Sequence, residues 1–221
     1  MATLSAQLFS VHELDIVRRS VEEGPPELRV DEGLMLHRVE GGDLVIDAAR
    51  VGSHPIIVAL ARIGFIDTLA AARRLRRFRT RLARGEVVYI ATKGEDVAGW
   101  AWVSKAGAFR DRWIGLHLKF APDELYIYDL WAYPKYRSSG AGALIVAGIL
   151  RDLQSDGLVR WVYGCIDREN RPNQVLQRLV FGFRSVQSVK VLRMVVAFGR
   201  VLPATATPPS GPCERRGAVR I

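Results

Sequence analysis

Asp129-Leu-Trp-Ala-Tyr-Pro-Lys-Tyr-Arg137-Ser-Ser-Gly140-Ala-Gly142-Ala143 joins a β-rich run, Glu124 to Ala132 (ELYIYDLWA), to a helix-forming run, Ala141 to Ser155 (AGALIVAGILRDLQS). Tyr, Ile, Leu and Trp favour a pleated, half-buried strand, and Pro134 closes it. The Ala, Leu and Ile content of the second run and the Asp156-Gly157 stop define a helix. Small residues at its start leave backbone N–H groups and the positive helix end pointing at one place, which is an anion site. Gly140 and Gly142 allow close backbone approach, and Arg137 adds a charge with several donors.

Downstream, Val159 to Ile166 (VRWVYGCI) reads as a strand, so strand, helix and strand imply a parallel pair with a right-handed crossover. Pro172 to Val180 reads as a short helix and Ser185 to Phe198 as closing strands. Upstream, Glu86 to Thr92 and Val97 to Ser104 form a hairpin around Lys93-Gly94-Glu95-Asp96. The stretch Lys105 to Asp123 is less regular. Pro55 to Ala83 carries apolar residues at helical spacing until Gly85, and Glu27 to Val39 suggests a first strand before a turn at Gly41-Gly42. Leu4 to Val21 reads as a short helix broken by Gly24-Pro25-Pro26. These features predict an α/β (α+β) chain on a mixed sheet, with an N-terminal arm at 1–27, one domain at 28–202 and a flexible Pro- and Arg-rich tail at 203–221.

The composition is that of a folded protein: 49% hydrophobic and 25% charged residues among 221. The net charge of +9 favours anionic partners, whether a phosphorylated cofactor, an acidic substrate, nucleic acid or an anionic membrane surface. Cys165 and Cys213 supply no disulfide framework, and His12, His37, His54 and His117 lack metal-site spacing, so no metal is expected. No apolar run approaches the roughly 20 residues of a spanning helix, and the start lacks a secretory pattern; a soluble, cytoplasmic protein is expected.

The spacing R-x-x-G-x-G/A after a β-run ending D-L-x-A-x-P-x-Y resembles the acyl-CoA signature of the GNAT superfamily of N-acyltransferases. The order that follows agrees: helix, strand, Asp167-Arg-Glu-Asn170-Arg-Pro-Asn173, short helix, then Phe181-Gly182-Phe183. The resemblance covers 86–198, more weakly from Leu28, and implies a partly split, six- to seven-stranded sheet flanked by helices. It implies acetyl-CoA or another acyl-CoA as co-substrate. The pyrophosphate would lie at Arg137, Ser138, Ser139, Gly140, Ala141, Gly142 and Ala143, and the pantetheine arm along Leu130, Trp131 and Ala132, where the two parallel strands diverge at a cleft. Asn170 and Asn173 compete for a further cofactor-facing role.

Direct attack by an amine requires a group that takes its proton. Asp129 and Glu124 are the acids of the β-run, on opposite faces unless a bulge re-aims one. Tyr126 and Tyr128 share a face with Glu124. Many family members carry a tyrosine before Gly-Phe that protonates the departing thiolate; Gln174 to Val180 has none, so the general acid is open. Cys165 lies in a strand without a neighbouring histidine and reads as packing.

Arg73, Arg74, Arg76, Arg77, Arg79, Arg81 and Arg84 surround Leu75, Phe78 and Leu82. They form either a solvated helix face or a surface selecting a carboxylate or RNA. Three functions follow: an N-acyltransferase on a small-molecule primary amine, an acetyltransferase toxin acting on aminoacyl-tRNA, or a catalytically weak acyl-CoA-binding protein. Turnover with free amines separates the first from the third, and salt-sensitive tRNA binding promotes the second. A homodimer is compatible with each.

Overall fold

The computed structural model describes residues 9–40, 77–104, 107–111, 116–196 and 200–206. Ten strands lie among them: β1 (Phe9–Ser20), β2 (Leu34–Val39), β3 (Val87–Lys93), β4 (Asp96–Val103), β5 (Ala108–Asp111), β6 (Leu116–Lys119), β7 (Glu124–Ala132), β8 (Trp161–Asp167), β9 (Arg184–Val196) and β10 (Arg200–Ala206). Helix α1 is described over 77–83. Helix α2 spans Ala141–Asp156, and α3 (Arg171–Val175) continues into a π-turn at Leu176–Val180. Eight strands pair in the order β10-β9-β1-β8-β7-β4-β3-β2, while β5 and β6 form a separate hairpin. The sheet is mixed: β7 and β8 are parallel and the other pairs are antiparallel.

The described chain falls into two compact units, one within Met1–Glu23, Ala106–Tyr126 and Leu158–Ile221, the other within Gly24–Lys105 and Ile127–Gly157. In the first, β1 lies between β8 and β9, with Ile16 opposite both Cys165 and Gln187. Leu14, Ile16, Val17, Val162, Ile166, Phe181 and Val189 form its core. Each fully buried Ile or Phe contributes about 1.5–3 kcal/mol relative to exposure. The opposite face of β1 buries Asp15, which Arg168 (2.9 Å), Arg178 and the Ser188 hydroxyl (2.7 Å) all bind. Two guanidinium groups and a hydroxyl compensate the desolvation of that carboxylate.

In the second unit, β4 packs between β3 and the end of β7, and β3 pairs with β2. A two-residue turn, Gly94-Glu95, joins β3 to β4. Helix α2 is apolar around most of its circumference and buries Ala141, Ile145, Val146, Ile149, Leu150 and Leu153. Tyr89 on β3 donates its hydroxyl to Asp152 of α2 at 2.9 Å. Phe78 and Leu82 of α1 are buried while Arg77 and Arg79 are exposed, so the described turns of α1 have the apolar stripe read from the sequence.

Three expectations are corrected. Phe9–Ser20 is a strand inside the sheet, where the sequence predicts a short helix over Leu4 to Val21 in an arm at 1–27, because buried polar partners interrupt its apolar alternation. The tail boundary at 203 falls inside β10; Pro203 has no N–H to give and sits on a strand that, among the described residues, pairs with β9 alone. The irregular stretch Lys105 to Asp123 contains the β5–β6 hairpin. The turn at Gly41-Gly42, most of the Pro55 to Ala83 helices with Leu75, Arg73, Arg74 and Arg76, and the tail from 207 lie outside the described residues.

Candidate active site

The end of β7 is bulged. Trp100 opposes Trp131 and Trp102 opposes Tyr128, so Asp129 and Leu130 together face the single residue Ala101. Asp129 absorbs the extra residue with a left-handed backbone, φ 52°, which a short polar side chain tolerates better than a branched one. Tyr126, Ile127 and Tyr128 are buried, whereas the Asp129 side chain is 47% exposed. The bulge anticipated as the device that could re-aim one of the two acids is present, and the Asp129 carboxylate points outward.

Asp129 is held from α1. Arg81 donates from Nη1 to its Oδ2 at 2.6 Å and spreads its guanidinium over the rings of Trp102 and Tyr128, at 5.1 and 4.8 Å from the centroids. The Tyr128 hydroxyl donates to the Glu86 carboxylate. Burial, and then the Glu86 hydrogen bond, push the Tyr128 phenol well above its ordinary range despite the opposing charge of Arg81.

Glu124 has a different setting. It is 3% exposed, its Oε2 accepts from the Ala121 N–H at 2.8 Å, and its Oε1 accepts from the Tyr163 hydroxyl at 3.1 Å. The carboxylate closes the turn that feeds β7, where the sequence offers it as a proton acceptor. The strand places it at a buried start, and both oxygens are engaged.

Past the bulge, the Trp131 carbonyl faces Gly99 of β4 so closely that a β-carbon there would lie 2.5 Å from it. Strand alternation sends the Ala132 carbonyl to the other edge, where it accepts from Arg137 Nε at 3.3 Å. The Arg137 guanidinium also lies 5.6 Å from the Trp131 ring centroid, and Trp131 is 43% exposed. Asp96, the first residue of β4, fixes the loop that follows β7, accepting from Lys135 Nζ at 2.6 Å and from the Tyr136 hydroxyl at 2.7 Å. That pairing raises the Lys135 ammonium above its ordinary value. Ser139 donates its hydroxyl to the Tyr136 carbonyl at 2.8 Å.

Gly140 is the N-cap of α2 with φ 83°; it provides no side-chain cap, and the first turn carries no acidic residue. The N–H groups of Ala141, Gly142 and Ala143 therefore begin a helix with positive polarity and no carboxylate to neutralise it, a donor set suited to a phosphate. The glycine at 140 also has a packing reason that spacing does not reveal. Its missing β-carbon would lie 3.2 Å from Val30 Cγ1 and 3.3 Å from the Arg29 carbonyl, and the Asp31 N–H donates to the Ser139 carbonyl at 3.0 Å.

The other candidates lie in the first unit. Asn170 is the N-cap of α3, its Oδ1 accepting from the Asn173 N–H at 3.3 Å, so one carbonyl already has a structural task. Asn173 is half-buried. Cys165 is a half-buried thiol on β8 that is not in a disulfide. Among the described residues no cluster of three or more His, Cys, Asp or Glu side chains could hold a metal ion, and no helix is long and apolar enough to cross a membrane. Arg81 is the site residue that periodicity left on a solvated face; its position one turn from Arg84 carries no distinguishing signal.

A mixed sheet thus carries the bulged strand β7, which feeds the glycine-capped helix α2. Residues 57–183, more than half of the 221, match the model of the acetyltransferase (GNAT) family, and the chain belongs to that family. No curated protein matches it in sequence. Among solved structures it is similar to a tandem GNAT protein from the clavulanic acid biosynthesis pathway, with 17% identity and TM-score 0.52 over 80% of this chain and 51% of that one. It is also similar to a functionally unknown conserved protein from Staphylococcus epidermidis ATCC 12228, with 10% identity and TM-score 0.51 over 83% of this chain and 61% of that one. The chain thus spans between half and two thirds of the length of these two proteins, and the likeness is one of fold.

Proposed function

We propose that this chain transfers an acetyl or other acyl group from acyl-CoA to a primary amine of a small molecule by direct attack. The observation that carries this reading is the bulge at Asp129-Leu130, which turns a carboxylate outward a few residues before the glycine-capped N-terminus of α2. Acyl-CoA supplies the thioester whose carbonyl carbon the amine attacks.

In this reading the N–H groups of Ala141, Gly142 and Ala143, with Ser138, Ser139 and Arg137, hold the pyrophosphate, while the edge at Leu130 to Ala132 hydrogen-bonds the extended pantetheine arm. Arg137 leaves the Ala132 carbonyl to do so. Asp129 accepts the ammonium proton directly or through a water, and Arg81 keeps its carboxylate at the bulge. Water protonates the leaving thiolate, since Gln174 to Val180 offers no phenol.

The test is a mass-spectrometric screen of primary amines against several acyl-CoAs, read as N-acylated product. Product with at least one amine, dependent on Asp129, supports the reading. Tight acyl-CoA binding without transfer to any amine would favour the weak-binding alternative.

A further inference from the structure

Arg81 departs from the basic face on which helical spacing puts it. Arg77, Arg79 and Arg84 are exposed, whereas the Arg81 side chain is 22% exposed, stacked on Trp102 and Tyr128 and paired with Asp129. Two aromatic faces fix the guanidinium plane, so its donors have a set direction. One of its five N–H groups serves Asp129, and Glu86, the other carboxylate of the cluster, is engaged by the Tyr128 hydroxyl.

A contact ion pair at a surface offers a positive and a negative site side by side. An α-amino acid offers the complement, a carboxylate and an amine on one carbon, and the two dipoles align head to tail. Its carboxylate matches the parallel N–H pairs of a guanidinium, and the amine then falls beside Asp129. A plain alkylamine uses Asp129 alone and gives Arg81 no part in binding it beyond holding Asp129.

We propose that the acceptor is an α-amino acid, or an amine with a carboxylate on the neighbouring carbon, recognised jointly by Arg81 and Asp129. This rests on the N-acyltransferase reading of the bulged β7. The amine nitrogen forms the new N–C bond as the C–S bond breaks; one ammonium proton passes to Asp129, and the thiolate takes a proton from water. The products are an N-acyl amino acid and CoA.

The experiment compares the common α-amino acids with their C-terminal amides as acceptors for acetyl-CoA, by thiol release, alongside calorimetric titration of the same compounds into the CoA-loaded protein. An amino acid should exceed its amide in kcat/KM by about tenfold or more, the value of one charge-assisted recognition. Arg81→Gln should bring that ratio close to one. Amides acetylated as well as acids, or a ratio that survives Arg81→Gln, overturns the inference and leaves the transferase reading standing. Selective binding of acids, lost in Arg81→Gln, without any thiol release sustains the recognition site and removes the transferase reading. Neither selective binding nor selective turnover rejects the recognition site.

Discussion

A β-carbon on Gly99 would lie 2.5 Å from the carbonyl oxygen of Trp131, closer than such atoms approach. This glycine therefore lets β4 follow the bulged end of β7, and the obstructing atom is backbone, which cannot rotate away. Gly99→Ala should cost about 1–3 kcal/mol of stability, the range for overpacking a core. Urea unfolding would measure it. Because the strain falls on the bulge, acyl-CoA affinity should drop in the fraction that remains folded.

Arg137 is exposed and makes one 3.3 Å bond to Ala132, so its removal should barely change stability. Arg137→Ala should weaken CoA binding by about five- to thirtyfold through loss of a charge-assisted contact, with an unchanged melting temperature. Gly140→Val is the contrasting variant. It meets Val30 and the Arg29 carbonyl and occupies φ 83°, so instability should accompany any loss of affinity. Equal CoA affinity for Arg137→Ala and the native chain would move the pyrophosphate elsewhere.

The phenols of Tyr89, Tyr128 and Tyr163 are all raised above their ordinary value of 10.0, first by burial. For Tyr89 and Tyr128 the hydrogen bonds to Asp152 and Glu86 reinforce this. In the folded chain these groups keep protons that the unfolded chain releases near pH 10. Stability is therefore unaffected by them below pH 10 and falls as pH rises above it. Absorbance near 295 nm should show these three of the six tyrosines ionising later than in denatured protein, and ionisation of all six near pH 10 before unfolding contradicts their burial.

Much of this architecture was legible where one face of an element is apolar without interruption. ELYIYDLWA reads as a strand and AGALIVAGILRDLQS as a helix because burial of their side chains coincides with propensity. FSVHELDIVRRS did not, because Asp15 and Arg19 are buried with partners contributed from residues 168–188, and no local pattern foretells such compensation. The strand-to-helix turn at Gly140 was legible from its glycines, although the strap at Arg29-Val30 against Gly140 was not. Neither the left-handed backbone of Asp129 nor the insertion of Arg81 has a periodic signature, since both depend on register between strands and on one helix turning inward.

Glu124→Gln separates the two acids of β7. Its carboxylate accepts from the Ala121 N–H and the Tyr163 hydroxyl, so an amide, which keeps one oxygen, loses one acceptor in a buried place. Stability should fall by about 1–3 kcal/mol. Turnover per folded molecule should hold within about threefold, since the group serves the turn. A rate loss larger than tenfold without loss of stability would return Glu124 to the chemistry.

Asp129→Asn isolates charge from geometry. Asparagine adopts the left-handed region as readily as aspartate, so the φ of 52° survives and the bulge with it. The Arg81 pair is half-exposed on the aspartate side, which limits its contribution to stability to about 0–1 kcal/mol. What the amide cannot do is accept a proton from the ammonium. The variant should therefore bind acyl-CoA as the native chain does and lose about 10²-fold in kcat/KM for the acceptor at neutral pH. The deficit should shrink as pH rises, because free amine then replaces the missing base. Stopped assays across pH 6–10 with one good acceptor read both effects, and Cys165→Ala in parallel should keep full activity. If Asp129→Asn keeps full activity at every pH while Cys165→Ala abolishes it, acyl transfer runs through a cysteine thioester and direct attack is wrong.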